Sequence, residues 1–141
     1  LSLYLDTSVL VAALTRELAT GRTLAWLAAQ APGVMAVSDW VTTEFSSALS
    51  IKLRRREIGL DDRADAMAAY NHLRVATFVT LPFSAPQFHA AARFADQHVL
   101  ALRGSDALHL AICAHHGATL CTLDEHLADA GGPLGIATAR L

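Results

Sequence analysis

Five short apolar runs, "LSLYL", "VMAVS", "TFVTLP", "ATLCT" and "GIATA", are separated in this chain by longer stretches of helical periodicity. That alternation constrains the fold more than any other feature. Strands joined through helices pair in parallel, and a parallel sheet is covered by helices on both faces. Its strands then read as continuous apolar runs rather than as alternating ones, as these do. The expected strands are Leu1–Leu5, Val34–Ser38, Thr77–Pro82, Ala118–Thr122 and Gly135–Ala139. Between them the pattern predicts a helix over Ser8–Thr15, with Thr7 or Ser8 as N-cap, and another over Thr20–Ala31, stopped by Pro32-Gly33. A long helix over Asp39–Glu57, with Asp39 as cap, is followed by one over Asp61–Ala76. Ala85–His98 carries Phe88, Ala91, Ala92 and Ala95 on one stripe, and Asp106–His116 ends at Gly117. A short helical turn precedes the last strand. The fold class is α/β, and residues 1–141 form one domain.

Length and charge narrow the function. The 141 residues suffice for one full core, and 53% hydrophobic against 17% charged residues excludes disorder. A formal net charge of −2 excludes nucleic-acid binding by bulk charge, so such contact would need a local basic patch or a metal ion. Cys113 and Cys121 are too few for a disulfide scaffold and suit a reducing cytoplasm, which is the expected location. No apolar run reaches membrane-spanning length and no signal peptide is expected, so no membrane partner is expected.

Four carboxylates stand in awkward places. In an open parallel sheet, ligands bind beyond the carboxyl ends of the strands. Asp6 follows the first strand and Asp124 follows the fourth, so both face one crevice if those strands are neighbours. Glu44 lies three residues after Val41 and four before Ala48, on the apolar stripe of the long helix with Phe45, Leu49 and Leu53. Asp106 opens the helix "SDALHLAICAHH". Singly, Asp6 and Asp106 read as helix caps or dipole partners, and Glu44 as half of an ion pair. Together they read as converging acids, which repel unless a divalent cation neutralises them. All-oxygen ligands favour Mg²⁺ or Mn²⁺ over zinc, and such sites serve phosphate chemistry.

At these residues the chain resembles PIN-domain proteins, and among them the VapC-type toxins of bacterial type II toxin–antitoxin pairs. "YLDTSVL" is similar to the family's first motif, "TTEFSSAL" to the second, "GSDALHLAIC" to the third and "LCTLDEHLA" to the fourth, in order and over nearly the whole chain. The resemblance implies a PIN-like fold with a five-stranded parallel sheet. It implies an endoribonuclease that depends on Mg²⁺, with Mn²⁺ as substitute, and leaves 5′-phosphate and 3′-hydroxyl ends. Asp6, Glu44, Asp106 and Asp124 would be both catalytic and metal-holding, with the hydroxyls of Thr7, Ser8 and Thr122 behind them. RNA would be the substrate, a cognate antitoxin the partner and a homodimer the assembly. Many relatives carry a further acid two positions after the fourth; here that position is His126, which leaves one metal or two open.

Other constellations are weaker. Lys52, Arg54, Arg55 and Arg56 suit a helix C-terminus and a solvated face, and equally RNA or an antitoxin's acids. Arg16 and Arg103 are expected nearer the acidic edge, as RNA contacts. Cys113, His115, His116 and Cys121 invite a zinc site, but a helix and a strand interior do not converge tetrahedrally, and buried thiols are the better reading. His109, between Asp106 and Cys113 on its helix, reads as packing or as a hydrogen-bonding neighbour. Two alternatives to the enzyme remain. One is a catalytically silent PIN-like scaffold. The other is a receiver-like signalling module, which wants a lysine near the last strands, whereas the only lysine is Lys52 on the long helix.

Overall fold

A computed structural model describes residues 1–141. Its strands are β1 (Leu3–Leu5), β2 (Met35–Val37), β3 (Val79–Thr80), β4 (Thr119–Thr122) and β5 (Thr138–Arg140). The helices are α1 (Thr7–Leu14), α2 (Thr20–Ala28), α3 (Asp39–Arg54), α4 (Leu60–Ala76), α5 (Ala85–Asp96), α6 (Gly104–His116) and α7 (Glu125–Gly131). Short 3₁₀ turns occupy His98–Leu100 and Gly132–Leu134. The five strands form one sheet in the order β3-β2-β1-β4-β5, every neighbouring pair parallel. The expected α/β class and five-stranded parallel sheet are therefore observed.

The chain lays β2 and β3 on one side of β1, then crosses to lay β4 and β5 on the other. The order reverses between β1 and β4, and in parallel sheets that reversal opens a crevice beyond the strand ends. Leu3, Tyr4 and Leu5 pair with Thr119, Leu120 and Cys121, and the Asp6 amide continues the ladder to the Cys121 carbonyl at 3.1 Å. The first and fourth strands are thus neighbours, as the acid argument requires. Successive strand residues point to opposite faces. Tyr4 and Leu5, Ala36 and Val37, and Leu120 and Cys121 are all buried, so helices cover both faces. Phe45 of α3 stacks on Tyr70 of α4 at 4.7 Å within the same core, and α5 packs along α6.

Several boundaries differ from expectation for local reasons. α1 is capped by Asp6, not by Thr7 or Ser8: Asp6 is extended (φ −76°, ψ 174°) and its carboxylate accepts from the Val9 amide. Thr7 and Ser8 therefore lie inside the first turn with their hydroxyls free for other work. α3 starts at Asp39, but Ser38 holds the cap position. The last strand begins at Thr138 rather than Gly135, because Gly132–Leu134 forms a turn closed by Gly135 at φ 69°. α7 ends hard against β5, where a Cβ on Gly131 would lie 2.3 Å from the Thr138 Cγ2. β3 shrinks to two exposed residues at the sheet edge. On α5 the buried residues are Gln87 and Ala91, and half-exposed Phe88 leaves the predicted stripe.

Candidate active site

Asp6 sits at the mouth of the crevice and is 4% exposed. Both its oxygens are engaged. Oδ1 accepts from the Ser8 hydroxyl at 2.5 Å and from the Val9 amide at 3.3 Å; Oδ2 accepts from the Thr122 hydroxyl at 2.6 Å. Ser8 in turn accepts from the Leu123 amide, and Thr122 from the Asp124 amide, each at 3.0 Å. The ends of β1 and β4 are thereby stitched together through one carboxylate. Burial nevertheless raises the Asp6 pKa, and the hydroxyls of Ser8 and Thr122 only partly offset it.

Glu44 reaches the same crevice from α3. Its Oε1 accepts from the Thr7 hydroxyl at 2.7 Å and is hydrogen-bonded to Nε2 of His109 on α6. Burial pushes the Glu44 pKa up, but the His109 contact and the Thr7 hydroxyl outweigh it, and the net shift is downward. Asp106 occupies the first turn of α6, where a carboxylate complements the helix dipole. Its pKa is raised first by burial and then, against the opposing effect of His109, by the charges of Asp124, Glu44 and Asp6. Asp124 is exposed and caps α7, its Oδ1 accepting from the Leu127 amide at 3.2 Å. The cap and the crevice acid are thus the same residue at both Asp6 and Asp124.

Asp106 thus feels the charges of Asp124, Glu44 and Asp6, with that of Asp124 the largest of the three. The ion pairs made by lysine and arginine are Lys52–Glu17, Lys52–Glu57 and Arg140–Glu125, and none reaches these acids. A hard divalent cation suits this donor set: the ligands are oxygens, their charges repel, and of the basic side chains only His109, on Glu44, is hydrogen-bonded to any of them. As the side chains stand, no three acidic, histidine or cysteine groups lie close enough together to hold a metal ion.

The family model for the PIN domain matches residues 3–133. The chain belongs to the PIN-domain family. No curated protein sequence matches it. Among solved structures, this PIN domain is similar to the VapC20 toxin of Mycobacterium tuberculosis, described as cleaving the sarcin-ricin loop. The TM-score is 0.75 at 20% identity, over 92% of this chain and 95% of that one. VapBC2 of Rickettsia felis, bound to a DNA fragment of its promoter, gives a TM-score of 0.68 at 15% identity over 100% and 99% of the chains. FitAcB of Neisseria gonorrhoeae gives 0.67 at 15% identity over 96% and 95%.

The remaining candidates separate by position. Arg103 is exposed at the N-cap of α6, three residues before Asp106, and so flanks the acids of this PIN domain. Arg16 does not. A helix that follows a strand runs back along the sheet, and Arg16 lies past the far end of α1, lining a cavity of about 390 Å³ with Glu57, Asp62 and Asp65. Arg54 and Arg55 are exposed at the end of α3, about 15 Å along the helix from Glu44 at 1.5 Å per residue. Lys52 is held by Glu17 at 3.0 Å and Glu57 at 3.4 Å, which takes the required lysine away from a receiver-like chemistry. Cys113 and Cys121 are buried free thiols and form no metal cluster; burial drives both pKa values upward, that of Cys121 to about 12. His126, at the position where relatives often carry an acid, turns its Nε2 to the Ala101 carbonyl at 3.1 Å and braces the loop before Arg103. The residues that sequence reasoning did not single out are Tyr4 and Ser38, which hydrogen-bond each other at 2.7 Å behind His109. A tyrosine in the middle of an apolar strand was the only signal available.

Proposed function

We propose that this PIN domain is a Mg²⁺-dependent endoribonuclease, with Mn²⁺ as substitute, and the toxin of a toxin–antitoxin pair. What supports this reading is that Asp6 and Asp124 follow the neighbouring strands β1 and β4, with Glu44 hydrogen-bonded to Thr7 beside Asp6, and that no lysine or arginine pairs with Asp6, Glu44, Asp106 or Asp124. When bound, the divalent ion supplies an activated water for in-line attack and offsets charge on the leaving 3′-oxygen. The chain's own residues do the rest. Asp6, locked by Ser8 and Thr122, is the fixed point of the site. Glu44, Asp106 and Asp124 complete the oxygen donor set, and Thr7 orients Glu44. Arg103 contacts a phosphate of the RNA beside the acids. The products carry 5′-phosphate and 3′-hydroxyl ends.

The toxin role draws support from the family and from structural similarity to a protein described as a toxin. A cognate antitoxin would silence the site by offering an arginine to the carboxylates, because a guanidinium can take a cation's electrostatic place. The chain would act in the cytoplasm as a homodimer; no helix in it is long and apolar enough to cross a membrane. The test is cleavage of cellular RNA by purified wild type and Asp6→Asn in Mg²⁺ and in excess chelator. Activity confined to wild type with metal supports the proposal. Undiminished cleavage in chelator contradicts it. A folded protein that binds its antitoxin yet never cuts RNA would favour the silent scaffold.

A further inference from the structure

A buried chain of hydrogen bonds runs behind the acids. Ser38 Oγ meets the Tyr4 hydroxyl at 2.7 Å, the Tyr4 hydroxyl meets Nδ1 of His109 at 2.9 Å, and Nε2 of His109 meets Glu44 Oε1. Thr7 closes it from the other side at 2.7 Å. Ser38 and Tyr4 are 0% exposed and His109 is 2% exposed. The chain begins at the end of β2, crosses β1 and α6 and ends on α3, so it ties four elements to one carboxylate. Ser38 holds the cap position of α3 and yet makes no cap bond with its side chain; its hydroxyl goes to Tyr4 instead.

We infer that His109 is a positioning residue: it fixes the orientation of the Glu44 carboxylate, and Tyr4 and Ser38 fix the orientation of His109. The inference rests on the proposed metal reading of the acids. Its logic is one of donors and acceptors. An ionised Glu44 can only accept, so Nε2 of His109 carries the proton that it shares with Oε1. In a neutral ring Nδ1 then accepts from the Tyr4 hydroxyl, which accepts from Ser38; in an imidazolium Nδ1–H donates to Tyr4, which donates on to Ser38, and in both Nε2–H points to Oε1. Each group in the chain has its partner, and no second arrangement of a neutral ring satisfies Glu44. Oε1 is consequently held by two donors, Thr7 and His109, and Oε2 is the oxygen left for a cation. Groups that orient a metal ligand in this way change metal affinity when removed, by roughly 10–100-fold.

The test has two arms. In the metal-free wild type, ¹⁵N NMR of the His109 ring reads the protonation of each nitrogen, and Nε2 is expected to carry a proton whether or not Nδ1 does. A ring protonated at Nδ1 alone overturns the inference. Mn²⁺ binding is then measured by calorimetry for wild type, His109→Leu, His109→Gln and Tyr4→Phe, each checked for folding by circular dichroism. His109→Leu is expected to weaken Mn²⁺ binding about 10-fold or more. His109→Gln, whose amide replaces the Nε2 donor, is expected to recover most of that loss, which a merely space-filling role would not give. Tyr4→Phe keeps the ring, loses the hydroxyl, and is expected to fall between wild type and His109→Leu. If wild type binds Mn²⁺ and folded His109→Gln and Tyr4→Phe show no graded effect, the role of His109 is wrong while the metal reading stands. A wild type that binds no Mn²⁺ overturns the metal reading, and the role of His109 falls with it.

Discussion

Asp6 combines two duties that its position in the sequence suggested separately. It caps α1, and it is the acid at the end of the first strand. Asp6→Asn keeps an oxygen for the Val9 amide and removes the charge. It is expected to leave the fold intact and to lower RNA cleavage on the order of 10³-fold or more, the scale of losing one group from a set that acts as a unit. Steady-state cleavage rates alongside a thermal melt check this. The raised pKa values of Asp6 and Asp106 also carry a sign. A carboxyl whose pKa is higher folded than unfolded destabilises the ionised native state, and the penalty disappears as pH falls toward its ordinary value of 3.8. Glu44 runs the other way: its lowered pKa stabilises at neutral pH, and that contribution is lost as pH falls below 4.5 and through its folded value. In chelator, the penalty from Asp6 and Asp106 is therefore expected to lift as pH falls toward 3.8, and Asp106→Asn to show less of that gain; melts across the acidic range measure it. Asp6, Asp124 and Glu44 stood out in the sequence because carboxylates at strand ends and on an apolar helix face violate local expectation. The partner of Glu44 did not, because the His109 contact joins residues 65 apart and exists only once α3 and α6 pack.

At the scale of elements, α3 and α6 carry the site because their cores are anchored. Phe45 is 0% exposed and stacked on Tyr70, one residue from Glu44. Phe45→Ala is expected to cost about 3–5 kcal/mol of stability, read from chemical denaturation, with a misplaced Glu44 as the functional consequence. The α6 N-terminus presents exposed Arg103 beside Asp106. If Arg103 contacts one phosphate of single-stranded RNA, Arg103→Ala shrinks the slope of log affinity against log salt by about 0.7. Filter binding of a catalytically dead variant at several salt concentrations gives that slope; an unchanged slope removes Arg103 from the interface. Element types and order were legible from apolar runs and helical periodicity. Element ends were not where side chains decided them: Asp6 rather than Thr7 or Ser8 capping α1, and a turn at Gly132–Leu134 delaying β5. Arg16 misled for a geometric reason, since closeness to Asp6 in sequence becomes distance once α1 runs back along the sheet.

Across the whole molecule, strand order reverses between β1 and β4, the place where parallel sheets open a crevice for ligands. The sequence could place Asp6 and Asp124 after two strands, but only the sheet order makes those strands neighbours. The central claim is that the acids gathered there cut RNA through a metal-dependent hydrolysis, and that none of the seven histidines activates the RNA's own 2′-hydroxyl. The two chemistries leave different ends. Purified protein is incubated with RNA in Mg²⁺, and the chemical ends of the fragments are determined by adapter ligation that requires a 5′-phosphate. The account predicts direct ligation to the downstream fragment and a free 3′-hydroxyl on the upstream one. A 2′,3′-cyclic phosphate on the upstream fragment, with a 5′-hydroxyl opposite, would contradict it.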